Sequence, residues 1–155
     1  MVVTKTLRAA SGWLDLGLAD EALFELQSLP EDEQTSQMAL EIKVHAEMEC
    51  QSWNAASETA RLLCTMEPKN PEFFLRAAFC LHETGDTLAA RNWLLSGPKS
   101  LMEHPSFHYN LGCYLWVLGE RKSARSHLSQ AFEMDESLRD FARSDRDLAG
   151  FGNPV

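Results

Sequence analysis

Residues 105–136 read PSFHYNLGCYLWVLGERKSARSHLSQAFEMDE, and this stretch decides the fold. Leu111, Gly112 and Leu115 recur at helical spacing, so residues 105–117 form one helix with an apolar face. Gly119 then supplies the permissive backbone of a tight turn. Ala124, Leu128 and Ala131 mark the buried face of a second helix. So short a connection forces the two helices to lie antiparallel.

The same skeleton recurs upstream. Ala22, Ala56, Ala90 and Ala124 fall at 34-residue intervals. Five residues before each stand Gly17, Gln51, Gly85 and Gly119, and twelve before each stand Ala10, Val44, Ala78 and Gly112. Four after each stand Leu26, Ala60, Leu94 and Leu128. In each second helix the small residue and the one four later share a face, which brings the paired helices close. This spacing and these residue types resemble the tetratricopeptide repeat, over about residues 3–136. The resemblance implies an all-α, right-handed α-α superhelix of four helix-turn-helix units. One domain spans 1–155, with units at about 3–36, 37–70, 71–104 and 105–138 and a C-terminal cap at 137–151.

The units depart from the pattern in legible ways. Pro30 stops the second helix of unit one, and Glu31-Asp32-Glu33-Gln34 reads as an acidic, solvated connection. In unit two Lys43 and Glu47 take sites that are usually apolar, and Gln51 replaces the turn glycine, so this pair is expected to be looser or its ends to deviate. Pro68 ends that unit and Pro71 opens the next. Gly97-Pro98 stops the second helix of unit three, leaving residues 99–104 as a link. Residues 137–143 read as a capping helix, with Ser144 or Asp145 capping one further turn. Residues 151–154 read as a frayed tail in which Phe151 tucks in.

Charge and motifs narrow the function. The excess of 23 Asp and Glu over 14 Lys and Arg repels a phosphate backbone, which argues against nucleic acid as partner. No apolar run reaches the length of a membrane span, and Met1 to Leu7 lacks a signal-peptide core, so the expected location is cytoplasmic. Cys50, Cys64, Cys80 and Cys113 lie inside helical patterns without C-x-x-C spacing and are expected to be free thiols. The sequence carries no phosphate loop, dinucleotide fingerprint or nucleophile elbow. His104, His108 and Cys113 do not share one helical face, so no metal site is assigned. Catalytic residues and cofactors are likewise none, and the chain is read as a non-enzyme.

The resemblance implies that the first helices line a groove and that the groove is the ligand face. Helical phase nominates Leu7, Arg8, Ser11 and Asp15 from unit one, and Met38, Ile42, His45 and Glu49 from unit two. Unit three supplies Leu75, Arg76, Phe79 and Glu83, and unit four Tyr109, Asn110, Cys113 and Trp116. Leu75, Phe79, Tyr109 and Trp116 are the expected apolar anchors, and Arg8 and Arg76 the expected partners of acidic ligand groups. The residues with which co-chaperones of this family grip a C-terminal carboxylate have no counterpart, since Glu41 and Glu72 fall at the relevant sites. The function implied is an adaptor that binds a peptide or helix of another protein. The alternatives are a secretion-system chaperone masking apolar segments, which the early start of unit one disfavours, and a homo-oligomeric structural protein. For the last, Leu88, Trp93 and Leu95 form a candidate contact unless they cover a neighbouring unit, and the chain is expected to be a monomer or weak dimer.

Overall fold

The structure is a computed structural model, and it describes residues 1–152. Four antiparallel helix pairs follow one another: α1 (Val2–Asp15) with α2 (Ala19–Gln27), α4 (Gln37–Glu49) with α5 (Trp53–Met66), α6 (Pro71–Glu83) with α7 (Thr87–Leu95), and α8 (Pro105–Val117) with α9 (Arg121–Met134). A short α3 (Glu31–Gln34) and a 3-10 turn (Lys99–Glu103) join units. α10 (Ser137–Ser144) and a 3-10 turn (Arg146–Leu148) follow the last pair. Each second helix packs on the next first helix, and α1 meets α4 as α6 meets α8. No described residue is in a strand.

Local chemistry sets the helix starts. Pro71 and Pro105 occupy first-turn positions, where no N–H is needed. Asn70 accepts from the Glu72 N–H at 3.1 Å, and Asp86 caps α7 by accepting from the Ala89 N–H at 3.0 Å. Both connections are more structured than the sequence reading expects. Pro30 starts the helical turn α3, and in the 99–103 turn Leu101 is buried at 1% exposure.

The turn between paired helices needs a left-handed residue. Gly17, Gly85 and Gly119 supply it with φ of 73°, 94° and 87°. Gln51 adopts the same conformation at φ 56°, so unit two keeps its geometry and accepts strain instead of deviating. Gln51→Gly is therefore expected to raise stability by about 0.5–1 kcal/mol, read by denaturant titration. An unchanged or lower midpoint would show that the left-handed residue costs nothing there.

The main core runs continuously from Leu40 to Leu148 and contains the buried faces of α4 through α9. Unit one packs on α4 through two smaller clusters, one around Leu7, Ala10, Leu26, Leu29 and Ala39 and one around Ala19, Ala22 and Ala46. In unit three Phe74 of α6 stacks on Trp93 of α7 at 6.3 Å and 25°. At the positions 34 residues on, His108 stacks on His127 at 5.5 Å and 20°. The imidazole pair thus occupies the site of the aromatic pair.

His108 Nε2 lies 2.9 Å from the Met102 carbonyl, to which it must donate. In the neutral ring its Nδ1 then accepts from His127 Nδ1–H, 3.3 Å away. Burial first and the neighbouring His108 second hold the His127 imidazole below its usual value. A base whose folded pKa is lowered stabilises above its unfolded value, here 6.5, and that stability is lost as pH falls through the folded pKa. His108→Phe with His127→Trp, copying unit three, should flatten the fall in melting temperature below pH 6.5. An equal acid slope in the double variant would place the acid sensitivity elsewhere.

Candidate groove on the first helices

Three rows of residues recur at 34-residue spacing on one face of α1, α4, α6 and α8. They are Leu7, Glu41, Leu75 and Tyr109; Ser11, His45, Phe79 and Cys113; and Leu14, Met48, His82 and Trp116. Within a helix these rows stand four and three residues apart, so each helix presents them side by side. The face they form differs sharply between its two ends.

The end built by α1 and α4 is open. Arg8, Ser11 and His45 are exposed, Ile42 is half-buried and Met38 is 61% exposed. Arg8, Ser11, Met38 and Ile42, together with Thr4, Leu7, Asp15, Glu33 and Glu41, surround a shallow groove of about 760 Å³. Glu49 extends its acidic rim alongside His45. Desolvation first and the Arg76 charge second hold the His45 imidazole below its usual value, against the pull of Glu41 and Glu49. Among the residues lining this end, the carboxylates of Asp15, Glu33, Glu41 and Glu49 outnumber the single cation, Arg8. Further along, Arg76, Phe79 and Asn110 are half-buried, and Phe79 meets the edge of Trp53 at 5.8 Å.

Three of the four expected anchors, and the nominated groove residue Leu7 with them, are not exposed; the fourth anchor, Phe79, is half-buried. Leu7 and Leu75 are each at 8%, Tyr109 at 5% and Trp116 at 6%. Leu7 joins the small core beneath Leu26, Leu29 and Ala39, and Leu75 belongs to the main core. Tyr109 and Trp116 are covered by the chain itself. After α10 the backbone turns back over α6 and α8, and Asp145 closes that turn by accepting from the Asp147 N–H at 3.0 Å. The Tyr109 hydroxyl donates to Asp145 Oδ2 at 2.6 Å, and the Trp116 indole N–H donates to the Ala149 carbonyl at 3.2 Å. Phe151 sets its edge on the Trp116 ring at 5.2 Å, and the Arg121 guanidinium lies 3.8 Å from the centre of that ring.

The returning segment also reaches α6. His82 Nε2 pairs with Asp147 Oδ2 at 2.8 Å, and Arg146 donates to Glu83 at 3.1 Å. Burial and then Asp145 push the Tyr109 hydroxyl far above its usual value. Burial and Asp145 likewise raise Cys113, and burial raises Cys64 and Cys80 to about 11. All four cysteines are free, and the three buried ones are thiols with little thiolate character. Helical phase alone does not nominate His82, Asp145 or Asp147 as groove residues. The 34-residue phase places His82 level with Trp116, but nothing in the sequence marks the chain's return.

Other nominated groups fall apart or inward. His108 is buried between α8 and α9 while Cys113 turns toward Asp145, and no three metal-binding side chains gather among the described residues. Trp93 covers Phe74, whereas Leu88 and Leu95 of the same helix stand 50% and 57% exposed. Among the described residues no helix is long and apolar enough to cross a membrane. Of the residues expected to fray, 153 and 154 lie outside the described residues, and Phe151 is packed against Trp116 and Phe132.

No protein-family model matches the chain, and no curated protein matches it. Solved structures do. MamA matches with a TM-score of 0.77 at 17% identity, over 89% of this chain and 81% of that one. A MamA double mutant matches at 0.80 and 13% identity, over 92% and 78%. YrrB, described as a TPR protein with an unusual peptide-binding site, matches at 0.73 and 14% identity, over 93% and 75%. At such identities the likeness shows the fold: this chain is a tetratricopeptide-type helical-repeat solenoid.

Proposed function

We propose that the chain is a non-catalytic protein-interaction module that takes a segment of a partner protein against the open α1/α4 end of the groove. The uncovered Met38 and Ile42, set among Asp15, Glu33, Glu41 and Glu49 with Arg8 as the cation beside them, are the observation that carries this reading. Apolar residues ringed by carboxylates suit an amphipathic segment with a basic flank. Arg8 and Arg76 take acidic groups where the ligand has them. Ser11, His45, Phe79 and Asn110 supply polar and aromatic contacts along the same face. Solenoids with this fold offer such a face because stacking leaves the first helices side by side.

Panning a random-peptide library against the full chain tests the reading. Retained peptides should share apolar residues with Lys or Arg nearby. Ile42→Glu with Phe79→Ala should weaken their binding by about tenfold or more, with helicity and melting preserved. Retention unchanged by the double variant would move the site off this face.

A further inference from the structure

The far end of the groove already holds a peptide segment. Residues 145–151 lie across α6 and α8 and use the groove rows themselves as partners: His82, Tyr109 and Trp116. The contacts are of a recognition type. Two carboxylates, two residues apart, each accept from a different helix, at 2.6 Å from Tyr109 and 2.8 Å from His82. His82 is oriented for this by its other nitrogen, 2.9 Å from the Thr87 hydroxyl. The arginine between the carboxylates reaches Glu83 at 3.1 Å, and Leu148 follows, buried at 4%. A main-chain carbonyl takes the Trp116 N–H, and an aromatic edge closes on the same ring. A segment that only covered apolar surface has no need of this paired-carboxylate register.

We propose that residues 145–151 are a built-in ligand, and that the α6/α8 end of the groove recognises Asp-Arg-Asp-Leu segments of this chemistry on a partner protein. The chain's own copy holds the site at rest and must leave before a partner's enters. Apparent affinity for an outside segment is therefore reduced by the fraction of chains whose site is vacant. The proposal rests on the reading that this face binds protein segments, and it adds a second specificity to it. The α1/α4 end favours basic flanks, while the α6/α8 end favours carboxylates.

The test uses a fluorescein-labelled synthetic peptide of residues 144–151 and the full chain throughout. Fluorescence anisotropy should show Asp145→Ala with Asp147→Ala binding the peptide about tenfold more tightly than the unaltered chain. Adding His82→Ala and Tyr109→Phe to that variant should remove the gain, and a peptide with Asn at both Asp positions should bind at least tenfold more weakly. A folded Asp145→Ala, Asp147→Ala chain that gains nothing, or equal binding of the Asn peptide, overturns the proposal.

A second measurement needs no variant. In the unaltered chain the Trp116 indole N–H should exchange with deuterium well before the backbone amides at the centre of α8, because the segment opens by itself. Exchange of both at one rate would make the segment a structural cap and overturn the proposal. Ile42 lines the α1/α4 end and touches none of these contacts, so loss of library peptides on Ile42→Glu alone, without Phe79→Ala, is independent of both results, and failure here is distinguishable from failure of the interaction-module reading.

Discussion

Gly112→Val is expected to destabilise the chain by about 3 kcal/mol, and Leu128→Ala, itself costly alone, is expected to rescue it in part. A Cβ at position 112 lies 2.6 Å from Leu128 Cγ and 3.2 Å from the Ala124 carbonyl oxygen. No side chain fits there while Leu128 stays in place. The repeat itself points to the remedy. Unit two carries Val44 and Ala60 at the equivalent sites, both fully buried at 0%. Large and small residues have exchanged helices, and the shared volume is filled either way. The double variant copies unit two, so its loss should fall short of the sum of the single losses by about 2 kcal/mol or more. Denaturant midpoints measure this, and additive losses would mean that the two helices do not close on each other at this point.

Glu47→Leu should stabilise the chain at neutral pH, by about 1–2 kcal/mol. Glu47 is 5% exposed on α4, at the site where the other units carry Trp13, Leu81 and Leu115. Its carboxylate accepts from the Thr59 hydroxyl at 2.8 Å and lies 3.7 Å from Lys43, whose side chain is half in solvent. Burial raises its pKa above the usual 4.5, against the opposing pull of Thr59 and Lys43. An acid whose folded pKa is raised stabilises most below the unfolded value, and that contribution is lost as pH rises through the folded pKa. Removing the carboxyl should therefore help at pH 7 and bring no comparable gain below pH 4.5. Thr59→Val in the same chain removes the hydroxyl left without its partner and should add to the gain. Lower stability of Glu47→Leu at pH 7 would show that the Thr59–Glu47–Lys43 contacts outweigh the cost of burial.

These two sites also show how much the sequence discloses. The period, the helix pairs and the turn residues follow from local rules, because each unit repeats the same short-range chemistry. Gly112 and Leu128 are legible as a close approach for the same reason. Glu47 is legible as an exception, though not as a buried one, since burial depends on what α5 places over it. The candidate groove is legible only in part. Arg8, Ser11, Ile42 and His45 stand where helical phase puts them. Tyr109 and Trp116 lie on the same face yet are covered, because Asp145, Ala149 and Phe151 return from more than 30 positions along the chain. Periodicity assigns a side chain to a face, and it does not say what else comes to lie on that face.

The groove reading is tested most directly by placing a photo-crosslinking benzoylphenylalanine at position 42 of the full chain and, separately, at position 88. Position 42 lies in the open groove, and position 88 lies exposed on α7, the second helix of unit three. Irradiation in extract of the producing cells should give a discrete adduct with another protein from position 42 and none from position 88. An adduct from position 88 alone would contradict the account and transfer the binding surface to the second helices.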